Sequence, residues 1–166
     1  DGSWNVATVE ELAGKRFSFP YTGRRMMDCN LEHTELRVLI MTQADGHYTK
    51  HGNLKFHFTK KRKIERCKSL LRKAGITFIL RNHKDATTIT IKSRVLPIWL
   101  RTFRDKIFGT WLLDESPDII FDELEFWDGY RCGPNSIQYS TVIKENADMI
   151  QALAHLSGRT ATIIKK

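Results

Sequence analysis

The chain has 166 residues, a 41% hydrophobic fraction and a formal net charge of +8, with a pI near 9.5. That length is enough to bury one continuous core; no apolar run reaches the ~20 residues of a membrane span, and no basic start with an apolar middle marks a signal peptide. The expectation is a soluble intracellular protein of cytoplasm, nucleoid or organelle matrix, not secreted and with no membrane partner.

Three cysteines, Cys29, Cys67 and Cys132, are odd in number and lack CxxC spacing, which argues against a disulfide framework and a zinc site. Excess Lys and Arg gives a sequence-independent attraction for phosphates. Residues 1–83 hold sixteen Lys plus Arg against eight Asp plus Glu, whereas residues 84–166 hold eleven of each. The first half is therefore expected to hold nucleic acid more tightly.

Within residues 1–30, Thr8 with Glu11 reads as the cap of a short helix, and residues 17–19 as a brief strand ended by Pro20. Lys15, Arg16, Arg24 and Arg25 form either a solvated loop or an arm on a DNA backbone. Residues 34–45 read as an apolar helix capped by Thr34 and ending on Asp45-Gly46. Residues 53–59 alternate cleanly: Leu54, Phe56 and Phe58 point one way, and Asn53, Lys55, His57 and Thr59 the other.

A basic helix over 60–74 follows, with Ile64, Cys67, Leu70 and Leu71 inward and Gly75 ending it. Its KKRK run reads as a solvated face. Strands over 76–80 and 87–93, joined by RNHKDA, form a hairpin with Ile89 and Ile91 inward and Thr88, Thr90 and Lys92 outward. The spacing then predicts a helix over 95–103, with Pro97 in its first turn. In the second half a helix ends on Asp128-Gly129, Ser136, Gln138 and Ser140 are the outward positions of a strand, and a helix over 143–157 ends at Gly158. A single strand over 160–164 closes the chain.

Sliding the chain against itself by 83 positions, half its length, lays Asp45-Gly46 on Asp128-Gly129 without a gap. In that register Leu54, Phe56 and Phe58 meet Ile137, Tyr139 and Thr141, while Lys61 meets Lys144, Leu70 meets Leu153 and Gly75 meets Gly158. One long internal period describes a duplicated unit.

An apolar helix that ends on an acid and a glycine, present twice in register, resembles the LAGLIDADG homing endonucleases. The signature is read as VLIMTQADG, Val38 to Gly46, and FDELEFWDG, Phe121 to Gly129. The resemblance covers residues 31–166. It departs at the small residues of the helix pair, where this chain has Leu39 and Ile40 in one copy and Asp122 and Glu123 in the other. DKIFGTWLL resembles the family's Lys-x-x-Pro block with Gly109 in place of proline, and singles out Lys106. VEELAGKRF resembles the connection by which inteins enter their embedded endonuclease. Asp1 is no splicing nucleophile and the chain ends in Ile-Lys-Lys, so splicing is not expected.

The resemblance implies an α+β fold, a duplicated αββαββα arrangement with pseudo-two-fold symmetry. Its parts would be an extension over 1–30, a first repeat over 31–115 and a short second repeat over 116–166. It implies a monomeric, site-specific double-strand DNA endonuclease on a long, nearly asymmetric target. Asp45 and Asp128, with Gly46 and Gly129, would hold Mg2+ or another divalent cation such as Mn2+, and the two acids with Lys106 would be catalytic. Lys165 and Lys166 are candidates for a second lysine. The expected DNA contacts are His47, Lys50, Asn53, Lys55, His57, Thr59, Arg81, Lys84, Thr88, Thr90, Lys92, Arg131, Ser136, Gln138 and Ser140. The alternative is the same fold used as a DNA-binding regulator or an RNA-splicing maturase, with an unused centre. His47 and His51 fall where strand is expected, not as a helical zinc pair, and no GxSxG, GxxxxGK[ST] or GxGxxG occurs.

Overall fold

The computed structural model describes residues 31–134 and 136–164, and within them the chain is α+β. The expectations placed on residues 1–30, among them the Thr8 cap, the basic arm and Cys29, lie outside the described residues, as do Lys165 and Lys166.

Helix α1, His33–Asp45, buries Leu36, Val38, Leu39, Ile40 and Met41, so nearly its whole circumference is covered. A helix apolar all round belongs in the interior. Thr34 does not cap it: Glu32 holds the cap position without a side-chain bond, and burial, more than capping, defines the start. The chain leaves α1 at Gly46 directly into strand β1, Gly46–Tyr48. A Cβ on Gly46 would sit 2.5 Å from the Thr42 carbonyl oxygen, so the sharp exit requires glycine.

Strands β2, Leu54–Phe58, β3, Ile79–Asn82, and β4, Thr87–Ile91, complete an antiparallel sheet in the order β1-β2-β4-β3. Its inner face places Leu54, Phe56, Phe58, Ile89 and Ile91 in the core. Helix α2, Lys61–Lys73, buries Cys67, Leu70 and Leu71 and ends before Gly75, whose φ of 66° is the left-handed conformation glycine adopts without strain. The second hairpin differs from expectation: β3 starts at Ile79 and takes Arg81 and Asn82 out of the supposed linker.

The helix expected over 95–103 is split. A 3-10 turn, Ser93–Val95, is followed by α3, Ile98–Thr102, with Pro97 as its N-cap. The residue before a proline is pushed to extended backbone, and Leu96 has ψ of 124°.

After a second 3-10 turn, Thr110–Asp114, helix α4 spans Pro117–Trp127 with proline in its first turn and Asp128 at its C-cap. Strands β5, Gly129–Gly133, and β6, Ser136–Tyr139, form a separate two-stranded sheet. Helix α5, Lys144–Leu156, begins and ends 83 positions after α2. No strand forms over 160–164; Ile163 and Ile164 are exposed there, and β-branched residues form a strand only where a partner accepts the backbone hydrogen bonds. Helices α4 and α2 both pack on α1, with Arg62 and Arg66 of α2 also reaching Phe126 and Glu123 of α4, and one apolar cluster runs through both halves. Among the described residues no helix is long and apolar enough to cross a membrane.

Candidate nucleic-acid interface and the paired helix ends

Two features concentrate polar chemistry: the outer face of the four-stranded sheet and the meeting point of the α1 and α4 C-termini.

In an antiparallel sheet, directly opposed residues share a face. One transverse row runs His47, Lys55, Thr90, Ile79, and the next runs His57, Thr88, Arg81. His57 and Thr88 also meet through their side chains, Nδ1 to Oγ1 at 3.2 Å. Lys92 continues the face just beyond β4, Thr59 lies just past β2, and Lys50 and Lys84 occupy exposed turns at either end. Strand alternation alone produces this assembly, because the same two-residue period that buries Phe56 and Ile89 turns the polar neighbours outward.

Two expected contacts, Asn53 and Arg131, are placed differently. Asn53 is half-buried, and its Oδ1 accepts a hydrogen bond from the Ser93 amide at 3.0 Å, so it ties β2 to the segment after β4. Arg131 points back toward α4, where its guanidinium donates to both Glu125 carboxylate oxygens and to the Pro134 carbonyl. Ser136 and Gln138 are exposed as expected, on the two-stranded sheet with Gln138 opposite Tyr130, and Ser140 is exposed just past the end of β6.

The helix ends converge. Lys63 of α2 places its Nζ 2.6 Å from Asp45 Oδ2 and 4.0 Å from Asp128 Oδ1, so a single ammonium bridges the two carboxylates. Its side chain is 14% exposed and lies 5.6 Å from the centre of the Trp127 ring. Lys106 also reaches this place and donates to the Gly46 carbonyl at 3.0 Å. Lys106 itself has φ of 59°, unusual for a residue with a side chain. Buried Asn146 of α5 holds it there, donating to the Lys106 carbonyl at 3.2 Å and accepting from the Phe108 amide at 2.7 Å.

Electrostatics follow from that crowding. Burial first, and then the neighbouring Asp45 charge, push the Asp128 carboxyl above its usual range, against the opposing pull of Lys63 and Lys106. Burial lowers the Lys106 ammonium, with Asp128 and Asp45 pulling it back up. Behind this pair lies a second ionic group. Glu123 is fully buried on α4, accepts from Arg37 of α1 at 2.6 Å, from Arg66 of α2, and from Trp127 Nε1 at 2.8 Å.

No family model matches this chain. It is similar to the ribonucleoside-diphosphate reductase subunit beta of Aquifex aeolicus (strain VF5), with 29% identity over 154 residues, covering 78% of this chain and 21% of that relative. The chain thus spans about a fifth of the length of the curated relative it matches.

That relative is, by its name, a subunit of an enzyme, and its name is not that of a nuclease. The finding overturns the expected site-specific DNA endonuclease, together with homing, phosphodiester hydrolysis, intein association and mobile-element identity. The local geometry has its own bearing on the chemistry. Between Asp45 and Asp128, where Mg2+ or Mn2+ was expected, lies the Lys63 ammonium. The Gly46 carbonyl, an expected ligand, accepts from Lys106, and Gly129 is drawn into β5 opposite Tyr139. Among the described residues no group of three or more His, Cys, Asp or Glu side chains is placed to hold a metal ion. As arranged, the residues do not fit a divalent cation.

Sequence reasoning missed Lys63, Arg66 and Glu123 as participants. A signal existed. Lys63 and Arg66 stand four residues before Cys67 and Leu70 on the apolar stripe of α2, and Glu123 stands four before Trp127 on that of α4. A charge on a buried stripe requires a partner.

Proposed function

We propose that the chain binds duplex DNA through the outer face of its four-stranded sheet, as a monomer on a long, nearly asymmetric site, with the duplicated LAGLIDADG arrangement as its fold. One observation carries this reading: the pairing register puts His47, Lys55, His57, Arg81, Thr88 and Thr90 on one face. No acidic side chain is among them. The central ribbon of β2 and β4 supplies Lys55, His57, Thr88 and Thr90, and a major groove about 12 Å wide admits a two-stranded ribbon. Lysine and arginine supply phosphate attraction, while histidine and threonine offer donors and acceptors to base edges. The net charge of +8 favours the encounter. The fold reading draws support from the helix-to-glycine exits at Gly46 and Gly129 and from the 83-residue offset of α2 and α5.

Fluorescence anisotropy with labelled duplex DNA tests it. The expected result is saturable binding that weakens linearly in log K with log salt. Binding without salt dependence, or a preference for RNA of the same sequence, contradicts it.

A second reading follows from the similar protein. As part of a longer chain, this segment would serve the ribonucleoside-diphosphate reduction that the relative's name describes. Calorimetric titration with a ribonucleoside diphosphate separates the two: heat of binding that duplex DNA does not suppress favours the second.

A further inference from the structure

We propose that Lys63 is a tethered cation that keeps the place between Asp45 and Asp128, so that a divalent ion enters only when this ammonium leaves. The pair of carboxylates is formed by α1 and α4, while the ammonium comes from α2, eighteen residues after Asp45. Its position is built, because Lys63 lies on the apolar stripe of α2 with Cys67 and Leu70, and only 14% of its side chain meets solvent.

Every charged group facing the pair takes part in the balance. Asp45 and Asp128 contribute two negative charges, Lys63 and Lys106 two positive ones, and the two arginines behind them, Arg37 and Arg66, are engaged by Glu123. The two aspartates and two lysines therefore cancel without any added ion, and the Arg37–Glu123–Arg66 group behind them carries one further positive charge that also disfavours a cation. A divalent cation would leave the aspartates and lysines with two excess positive charges in a partly buried place, unless Lys63 swings out to water. That competition weakens ion binding by the free energy needed to displace a close, partly desolvated ion pair.

Mn2+ alone is the probe, read as loss of the free-ion electron paramagnetic resonance signal on titration of the full chain. Lys63→Met is expected to bind Mn2+ about tenfold more tightly than the natural sequence, or more, on the scale of one close charge removed. Lys63→Arg is expected to match the natural sequence. Adding Asp45→Asn to Lys63→Met should abolish the gain, which locates the ion at the pair. Equal Mn2+ affinity in Lys63→Met and the natural chain overturns the proposal, as does a gain that survives Asp45→Asn. Should circular dichroism find Lys63→Met unfolded, Lys63→Gln replaces it: tighter binding than Lys63→Arg supports the tethered cation, and equal binding overturns it. No nucleic acid enters the assay, so its outcome is independent of the DNA-binding reading.

Discussion

The two sheets among the described residues follow the same strand-after-helix plan, yet only one is anchored. In the sheet formed by β1, β2, β4 and β3, one face is fully interred through Leu54, Phe56, Ile89 and Ile91, and the polar face is consequently locked in register. The pair β5 and β6 has no fully buried residue; Ile137 and Tyr139 are half-covered and Tyr130 is 69% exposed. A register shift interrupts it between Arg131 and Gly133. A polar surface is only as well ordered as the apolar surface on its reverse. The first sheet can therefore present a fixed array of side chains, and the second presents a looser one.

The largest expected effect concerns that anchoring. Phe56→Ala removes a fully buried ring stacked on Phe58 with centroids 5.9 Å apart, and should cost about 3–5 kcal/mol in urea unfolding. Ile137→Ala, its neighbour in the half-length register apart by two positions, should cost about 1 kcal/mol. Comparable losses at the two positions would mean that the second sheet is as firmly held as the first.

A smaller effect compares the two helix-end acids. Asp45 has the close ion pair with Lys63, while Asp128 stands at 4.0 Å from it and is pushed upward by burial and by Asp45. A carboxyl whose pKa rises on folding contributes stability that is full below the unfolded-state pKa and is lost as pH rises through the folded one. Asp128→Asn should therefore raise the thermal midpoint modestly at neutral pH, with the gain shrinking as pH falls through the ordinary aspartate range. A midpoint that falls at neutral pH would show Asp128 to be a net stabiliser.

Much of the first sheet was legible because period-two alternation is local: Leu54 to Phe58 announces both its buried and its polar face. The Asp-Gly exits were legible for a similar reason, since the demand for glycine arises within one turn of helix. What escaped was tertiary. Nothing near Lys63 in the chain points to Asp45 or Asp128, and a KKRK run reads as solvated until α2 is laid against α1. Arg131 was misplaced because its partner Glu125 sits on the preceding helix, which draws the guanidinium away from the open face. The helix expected over 95–103 failed for a covalent reason, the restriction that Pro97 imposes on Leu96. The strand expected over 160–164 reflected β-propensity alone; these residues are irregular, and the Ala161 carbonyl accepts from the Gln151 side chain instead.

Binding of duplex DNA by the anchored face is most directly examined by backbone amide NMR during titration with a short duplex. Shifts and broadening should gather at His47, Lys55, His57, Arg81, Thr88, Thr90 and Lys92, with smaller changes at Gln138 and Ser140. Perturbations that instead gather on α5, or a spectrum unchanged at saturating DNA, would contradict the assignment.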